Sequence, residues 1–249
     1  MGPWRRIGGT GQDGGMSHPE GRWLLLHGTP LTPRVWDSVT ASLAERGPVW
    51  APDVSAEPGR DTPAALAAHL VSAQDPGPLH VVGHSFGGQI AIDVALLVPR
   101  RVRTLTLICS RDTPFEPFAA AAAHLRQGGP VDADAALSRW FTPPELAAAG
   151  PVVAYARDCL QQADRASWAA ALSAIASYDR TDRVGEIGVP CTLIAAELDQ
   201  VSTPAAMSDL AGRLPHASLQ VLAGAAHMSP FTDPARLGTL LLEAADRVA

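Results

Sequence analysis

Lysine is missing altogether: the 19 basic residues are all arginine, set against 25 Asp and Glu for a formal charge of −6. No run of them forms a basic stripe, which argues against nucleic acid as a partner. Long apolar runs are missing as well. None approaches the ~18 residues that would span a bilayer, and the first 20 residues lack the apolar stretch of a secretory signal. The expectation is a cytoplasmic chain with no membrane partner. Only three cysteines occur, Cys109, Cys159 and Cys191, far apart and without a C-x-x-C pair. They read as buried packing thiols rather than a disulfide frame or a metal site. No set of His, Asp and Glu recurs at metal-ligand spacing, so no metal or cofactor is expected. Residues 1–21 are glycine-rich and have no hydrophobic period, which predicts a disordered segment.

What is present is enough apolar matter for one full core. At 249 residues and 47% hydrophobic, the chain suits a single α/β domain, with or without a small lid. Strands are predicted at residues 22–27 (RWLLLH, a buried parallel strand), 48–54, 79–82, 102–109, 191–196 and 217–222. Helices are predicted between them at 35–46, 63–72, 89–98, 204–214 and 233–248, with Asp61 or Thr62 capping the second and Asp233 the last. Strands alternating with helices at this spacing specify a mostly parallel sheet covered on both faces. The alternation stops at residues 113–180, where five helices are predicted (118–126, 132–140, 144–148, 152–162 and 167–177). The core is therefore assigned to 22–112 and 181–249, with 113–180 as a helical cap over the strand ends or an extension packed on the sheet edge.

The chain is organised around LHVVGHSFGG at residues 79–88. A short apolar run meets Gly83-His84-Ser85-Phe86-Gly87, and an Ala/Ile/Leu-rich helical segment follows. Strand, one-residue turn and helix make G-x-S-x-G a nucleophile elbow. Gly83 and Gly87 let strand and helix converge, while the turn lifts the Ser85 hydroxyl out of the sheet beside the first helical N–H groups. An oxyanion forming there would meet the N–H of Phe86. A second N–H, that of Thr29 or a residue beside it, would come from the loop His27-Gly28-Thr29-Pro30 after the first strand.

A serine hydroxyl needs a base, and the base needs a carboxylate to hold its tautomer. In strand-turn-helix hydrolases these follow in the order Ser, Asp or Glu, His. Asp199 lies just past the fifth strand and His227 in the loop after the sixth, so both loops leave the sheet at the same edge as the elbow. Glu197 is the competing acid. His216 stands at the wrong end of the sheet, and His84 cannot easily turn back on its neighbour.

These motifs resemble the α/β-hydrolase superfamily over nearly all of residues 22–249: His27-Gly28-Thr29-Pro30, Trp36-Asp37, Pro52-Asp53, Gly83 to Gly88, Leu198-Asp199, Gly224-Ala225-Ala226-His227 and Asp233-Pro234. Arg139-Trp140-Phe141-Thr142-Pro143 and Ala176-Ser177-Tyr178-Asp179 are similar to 3-oxoadipate enol-lactonases and related esterases. The resemblance implies a serine hydrolase of small esters or lactones, working through an acyl-serine on Ser85, His227 and Asp199. C–C bond hydrolysis, thioester cleavage, acyl transfer, a lyase step or a non-catalytic binding role on the same scaffold are its rivals. Phe115, Phe118, Trp140 and Trp168 are the candidate pocket residues. The family's opening strand hairpin has no counterpart in residues 1–21, and a sheet shorter by two strands would leave an edge exposed or paired in a homodimer. The Gly-x-Gly usual after Asp53 is replaced by Val54-Ser55-Ala56-Glu57-Pro58-Gly59.

Overall fold

Two hydrophobic cores, one on each face of a sheet, organise the chain in the computed structural model, which describes residues 21–73 and 76–247. The expectations for residues 1–21, disorder and a lost hairpin, lie outside the described residues except for Gly21. The elements run β1 (Arg22–Leu26), α1 (Asp37–Ala44), β2 (Val49–Trp50), α2 (Pro63–Ser72), β3 (Leu79–His84), α3 (Phe86–Leu97) and β4 (Val102–Ile108). Then come α4 (Pro117–Arg126), α5 (Ala133–Trp140), α6 (Pro143–Ala148), α7 (Pro151–Gln162) and α8 (Arg165–Ser177). The chain closes with β5 (Cys191–Ala196), α9 (Pro204–Arg213), β6 (Ala217–Leu222) and α10 (Pro234–Ala245).

The strands form one parallel sheet in the order β2-β1-β3-β4-β5-β6. Because strand side chains alternate in direction, Leu24, Leu26, Val81, Leu105, Leu107 and Leu193 face a core shared with α2, α3 and α9. Trp23, Leu25, Val82, Ile108 and Ile194 face the other, shared with α1 and α10. Burial on both faces explains why the strands read as near-continuous apolar runs. All six strands are parallel, so their C-terminal ends open on one edge, and the order reverses between β1 and β3. That is where ligands of such sheets sit.

The mapped elements depart from the sequence expectation in a few places, each with a local cause. The second strand is only Val49–Trp50, not 48–54. Pro52 has no N–H to give a ladder, and the Val54 N–H is taken by the His27 ring at 3.0 Å instead. The predicted helix 35–46 begins as a 3-10 turn at Pro33–Trp36 before α1. Thr62, not Asp61, caps α2 by accepting from the Ala65 N–H at 3.2 Å. In the insertion, α4, α6 and α7 begin one residue earlier than expected, with Pro117, Pro143 and Pro151 in their first positions, where the missing N–H costs nothing. Among the described residues no helix is long and apolar enough to cross a membrane.

Candidate active site

Ser85 joins β3 to α3 with φ 53° and ψ −119°, a conformation that an L-residue holds only when its surroundings enforce it. The enforcement is visible. The Ser85 N–H donates to the Ile108 carbonyl at 3.0 Å, and its own carbonyl accepts from the Gly88 N–H at 2.9 Å and the Ser110 hydroxyl at 2.8 Å. A Cβ on Gly83 would collide with the Gly87 backbone, and one on Gly87 with the carbonyl oxygens of Leu26 and His27. Those atoms are backbone and cannot rotate aside as a side chain would. Gly87→Ala is therefore expected to exceed the ~1–3 kcal/mol usual for overpacking, seen as lost soluble yield or a Tm drop of more than ~10 °C in thermal denaturation.

Asp199 and His227 meet across 28 residues, with Nδ1 of His227 donating to Oδ2 of Asp199 at 2.6 Å. The other carboxylate oxygen accepts from the N–H groups of Val201 at 2.8 Å and Ser202 at 3.1 Å, in the turn that follows β5. Both side chains are buried. Burial pushes the Asp199 pKa up, but the charge and hydrogen bond of His227 and the two amides outweigh it and hold the carboxyl below its ordinary range. An ionised acceptor on Nδ1 fixes the tautomer and leaves Nε2 of His227 as a proton acceptor.

The competing groups are otherwise engaged. Glu197 accepts from the Gly224 N–H at 2.6 Å and clamps the turn ends of β5 and β6. The His216 carbonyl accepts from Cys191 at the opposite end of those strands. His84 is fully buried against the His227 and Phe231 rings, 4.8 and 4.9 Å away, and its Nε2 lies 3.3 Å from the His227 carbonyl. Burial, then the charge of His227, push its pKa far down, so it stays a neutral packing group.

Thr29, Ser85, Asp199 and His227 line one cavity of about 300 Å³. Its far wall comes from the helical insertion: Phe118, Leu125, Trp140, Trp168, Leu172 and Ile175. Phe115 is a correction, since it does not line the cavity. It precedes α4, hydrogen-bonds through its N–H to the Ile175 carbonyl at 3.2 Å, and packs edge-on against Phe118 with Arg111 over its ring. Phe86 likewise turns its ring into the core. Neither its backbone N–H nor that of Thr29 has a hydrogen-bond partner among the described residues.

A match to the alpha/beta hydrolase family extends over residues 23–238, from β1 into α10. The chain belongs to that family. A pimeloyl-[acyl-carrier protein] methyl ester esterase of Nitrosomonas europaea is 28% identical over 229 residues, covering 84% of this chain and 88% of that protein. The polyketide synthase ThaQ of Burkholderia thailandensis is 30% identical over 177 residues, 66% of this chain, and the match spans 8% of the synthase's length. Among solved structures, the enol-lactonase from Burkholderia xenovorans LB400 superposes with a TM-score of 0.82 at 21% identity, covering 91% of this chain and 92% of that one, a likeness of fold. The expected α/β-hydrolase fold and family hold.

Several contacts that build the site of this α/β-hydrolase carry no signal in the sequence. Tyr155 of α7 holds the loop after β1: its hydroxyl donates to the Thr32 carbonyl and accepts from the Thr32 N–H, both at 2.9 Å and 123 residues apart in the chain. The His27 ring bridges the same loop to Val54. Cys109 places its sulfur within 4.8 Å of the Asp199 and His227 donor atoms, the one such cluster among the described residues. Burial, then the neighbouring Asp199 charge, push that thiol far up, so it is protonated and poorly suited to bind a metal. All three cysteines are buried and free.

Proposed function

We propose that this protein is a serine hydrolase of small carboxylic esters or lactones, with Ser85 as nucleophile, His227 as base and Asp199 as its orienting acid. The observation that carries the reading is the 2.6 Å His227–Asp199 hydrogen bond beside the cavity on which the strained Ser85 also opens. Nε2 of His227 takes the Ser85 proton as Oγ attacks the substrate carbonyl carbon. The resulting oxyanion accepts from the N–H groups of Phe86 and Thr29, each worth about 3–4 kcal/mol in such a hole. Collapse breaks the C–O bond, and His227 returns the proton to the departing alcohol, or to the tethered hydroxyl of an opened lactone. Water then adds to the acyl-Ser85 carbonyl, giving its proton to His227. Collapse releases the acid and restores the serine. No step draws on a metal or cofactor.

Residues 113–180 act as a cap in this reading, closing the cavity over the strand ends. At about 300 Å³ the space lies at the small end for ligand sites, and the wall that the helical insertion contributes is mostly apolar. A short acyl chain or a single ring fits that volume. The three more exposed polar residues on its lining, His124, Asp132 and Arg139, stand toward solvent.

A fluorophosphonate probe tests the nucleophile. Mass spectrometry should place the adduct on Ser85, with none on the Ser85→Ala protein. A series of p-nitrophenyl esters should show kcat/KM falling once the acyl chain outgrows the cavity, and the same panel with simple lactones separates esterase from lactonase. Folded protein that neither takes the label nor turns over any ester or lactone would sink the proposal.

A further inference from the structure

We propose that Glu145 of α6 is a positioning residue that locks the helical insertion onto the loop carrying His227. The inference rests on the reading of Ser85, His227 and Asp199 as the catalytic set. Glu145 itself lies outside the cavity.

As a helix-capping glutamate it would need one bond, from the Thr142 N–H to Oε2 at 2.7 Å. It accepts three more. The Thr142 hydroxyl reaches Oε2 at 2.8 Å, the Ser229 hydroxyl reaches the same oxygen at 2.9 Å, and the Thr232 hydroxyl, which shares its one proton with the Ser229 carbonyl at 2.9 Å, lies 3.1 Å from Oε1. Ser229 and Thr232 lie 84 and 87 residues away, just beyond His227.

The Ser229 bond has a direction. A carboxylate can only accept, so the serine proton points to Glu145 and the lone pairs of its Oγ are left to accept from the buried Ala226 N–H at 2.8 Å. On the other side of His227, the Met228 N–H donates to the Trp140 carbonyl at 2.8 Å. Both chain neighbours of His227 are thus fastened by backbone hydrogen bonds to a network that begins at residues 140–145. Trp140 is also a wall of the cavity. The base and the wall are held by one piece of structure. Burial raises the Glu145 pKa, but the Thr142, Ser229 and Thr232 donors outweigh it, keeping the charged, acceptor-only form that the arrangement needs.

Three variants and a control separate this role from simple helix capping. Glu145→Ala and Ser229→Ala each release the His227 loop, and a displacement of about 1 Å at a catalytic group costs on the order of 10²-fold in rate. We expect kcat to fall roughly 10- to 100-fold, fluorophosphonate labelling of Ser85 to slow in parallel, and KM to change less than about threefold. The double variant should be no slower than the worse single one, because both cut one link. Thr142→Val removes the capping hydroxyl but leaves Glu145–Ser229–Ala226 intact. It should lower Tm as Glu145→Ala does, yet keep kcat within about twofold.

If Thr142→Val and Glu145→Ala depress kcat equally, or if Glu145→Ala and Ser229→Ala leave it unchanged, Glu145 only caps a helix and the proposal is wrong. Should Glu145→Ala fail to fold, Ser229→Ala decides by the same kcat criterion. Ser85→Ala in the same assay keeps the two readings apart. An inactive Ser85→Ala beside a fully active Glu145→Ala retains the catalytic set and removes the Glu145 role, whereas an active Ser85→Ala removes both.

Discussion

Ser85→Ala is expected to lower kcat by about 10⁶-fold, the loss seen when the nucleophile of a Ser-His-Asp enzyme is removed. The size follows from the mechanism. With no Oγ there is no acyl-enzyme, and water must attack directly, aided only by binding and by the N–H groups of Phe86 and Thr29. Folding should hardly change. Alanine meets the same strain as serine at φ 53°, and among the described residues no hydrogen bond from the Ser85 hydroxyl contributes to the elbow, which is held by backbone groups and Ser110. Steady-state kinetics on the best p-nitrophenyl ester, with a parallel melting curve, make the measurement. Turnover above ~1% of wild type in a variant of normal Tm would rule out Ser85 as the nucleophile.

Asp199→Asn should cost about 10⁴-fold in kcat with KM nearly unchanged. The amide can be accommodated beside Val201 and Ser202 only by keeping its oxygen toward their N–H groups, which turns its NH₂ toward Nδ1 of His227. Nδ1 must then accept, the ring proton moves to Nε2, and the base points a hydrogen at Ser85. The same variant reports on stability. The folded carboxyl of Asp199 titrates below its ordinary 3.8, so its ionised form stabilises the fold fully above that value. The contribution fades as the pH falls below 3.8 toward the lower folded value. The Tm advantage of wild type over Asp199→Asn should accordingly be larger at pH 7 than at pH 3. Equal differences at the two pH values would show that the carboxylate is not held as described.

Two of the site's three parts were legible because they depend on local chemistry. Gly83 and Gly87 flank Ser85 since strand and helix touch there, and a Cβ at either position would strike backbone. That constraint leaves a pattern five residues long. Asp199 and His227 could be picked out because each follows a strand, and all parallel strands end on one edge of the sheet. Strand limits at Cys191–Ala196 and Ala217–Leu222 were likewise readable from apolar runs with turn residues on either side. The second strand was overread because Val54 is apolar, and nothing beside it announces that His27, half a layer away, will take its N–H.

By itself, then, the sequence determined the parallel α/β architecture and picked out Ser85, Asp199 and His227 for the proposed catalytic roles, because periodicity and steric exclusion act over a few residues. Only the tertiary structure decided which side chains face the cavity. Phe115 and Phe118 are three residues apart and pack edge-on, yet only Phe118 lines the space, while Phe115 lies under Arg111, since the direction of each depends on how α4 leans on α8. It also decided the supports of the site: Tyr155 on Thr32, Cys109 beside Asp199, and Glu145 beneath the loop of His227. A hydroxyl and a carboxylate that meet across 84 residues have no period and no motif. Their pairing exists only once helix packing has fixed the distance between them.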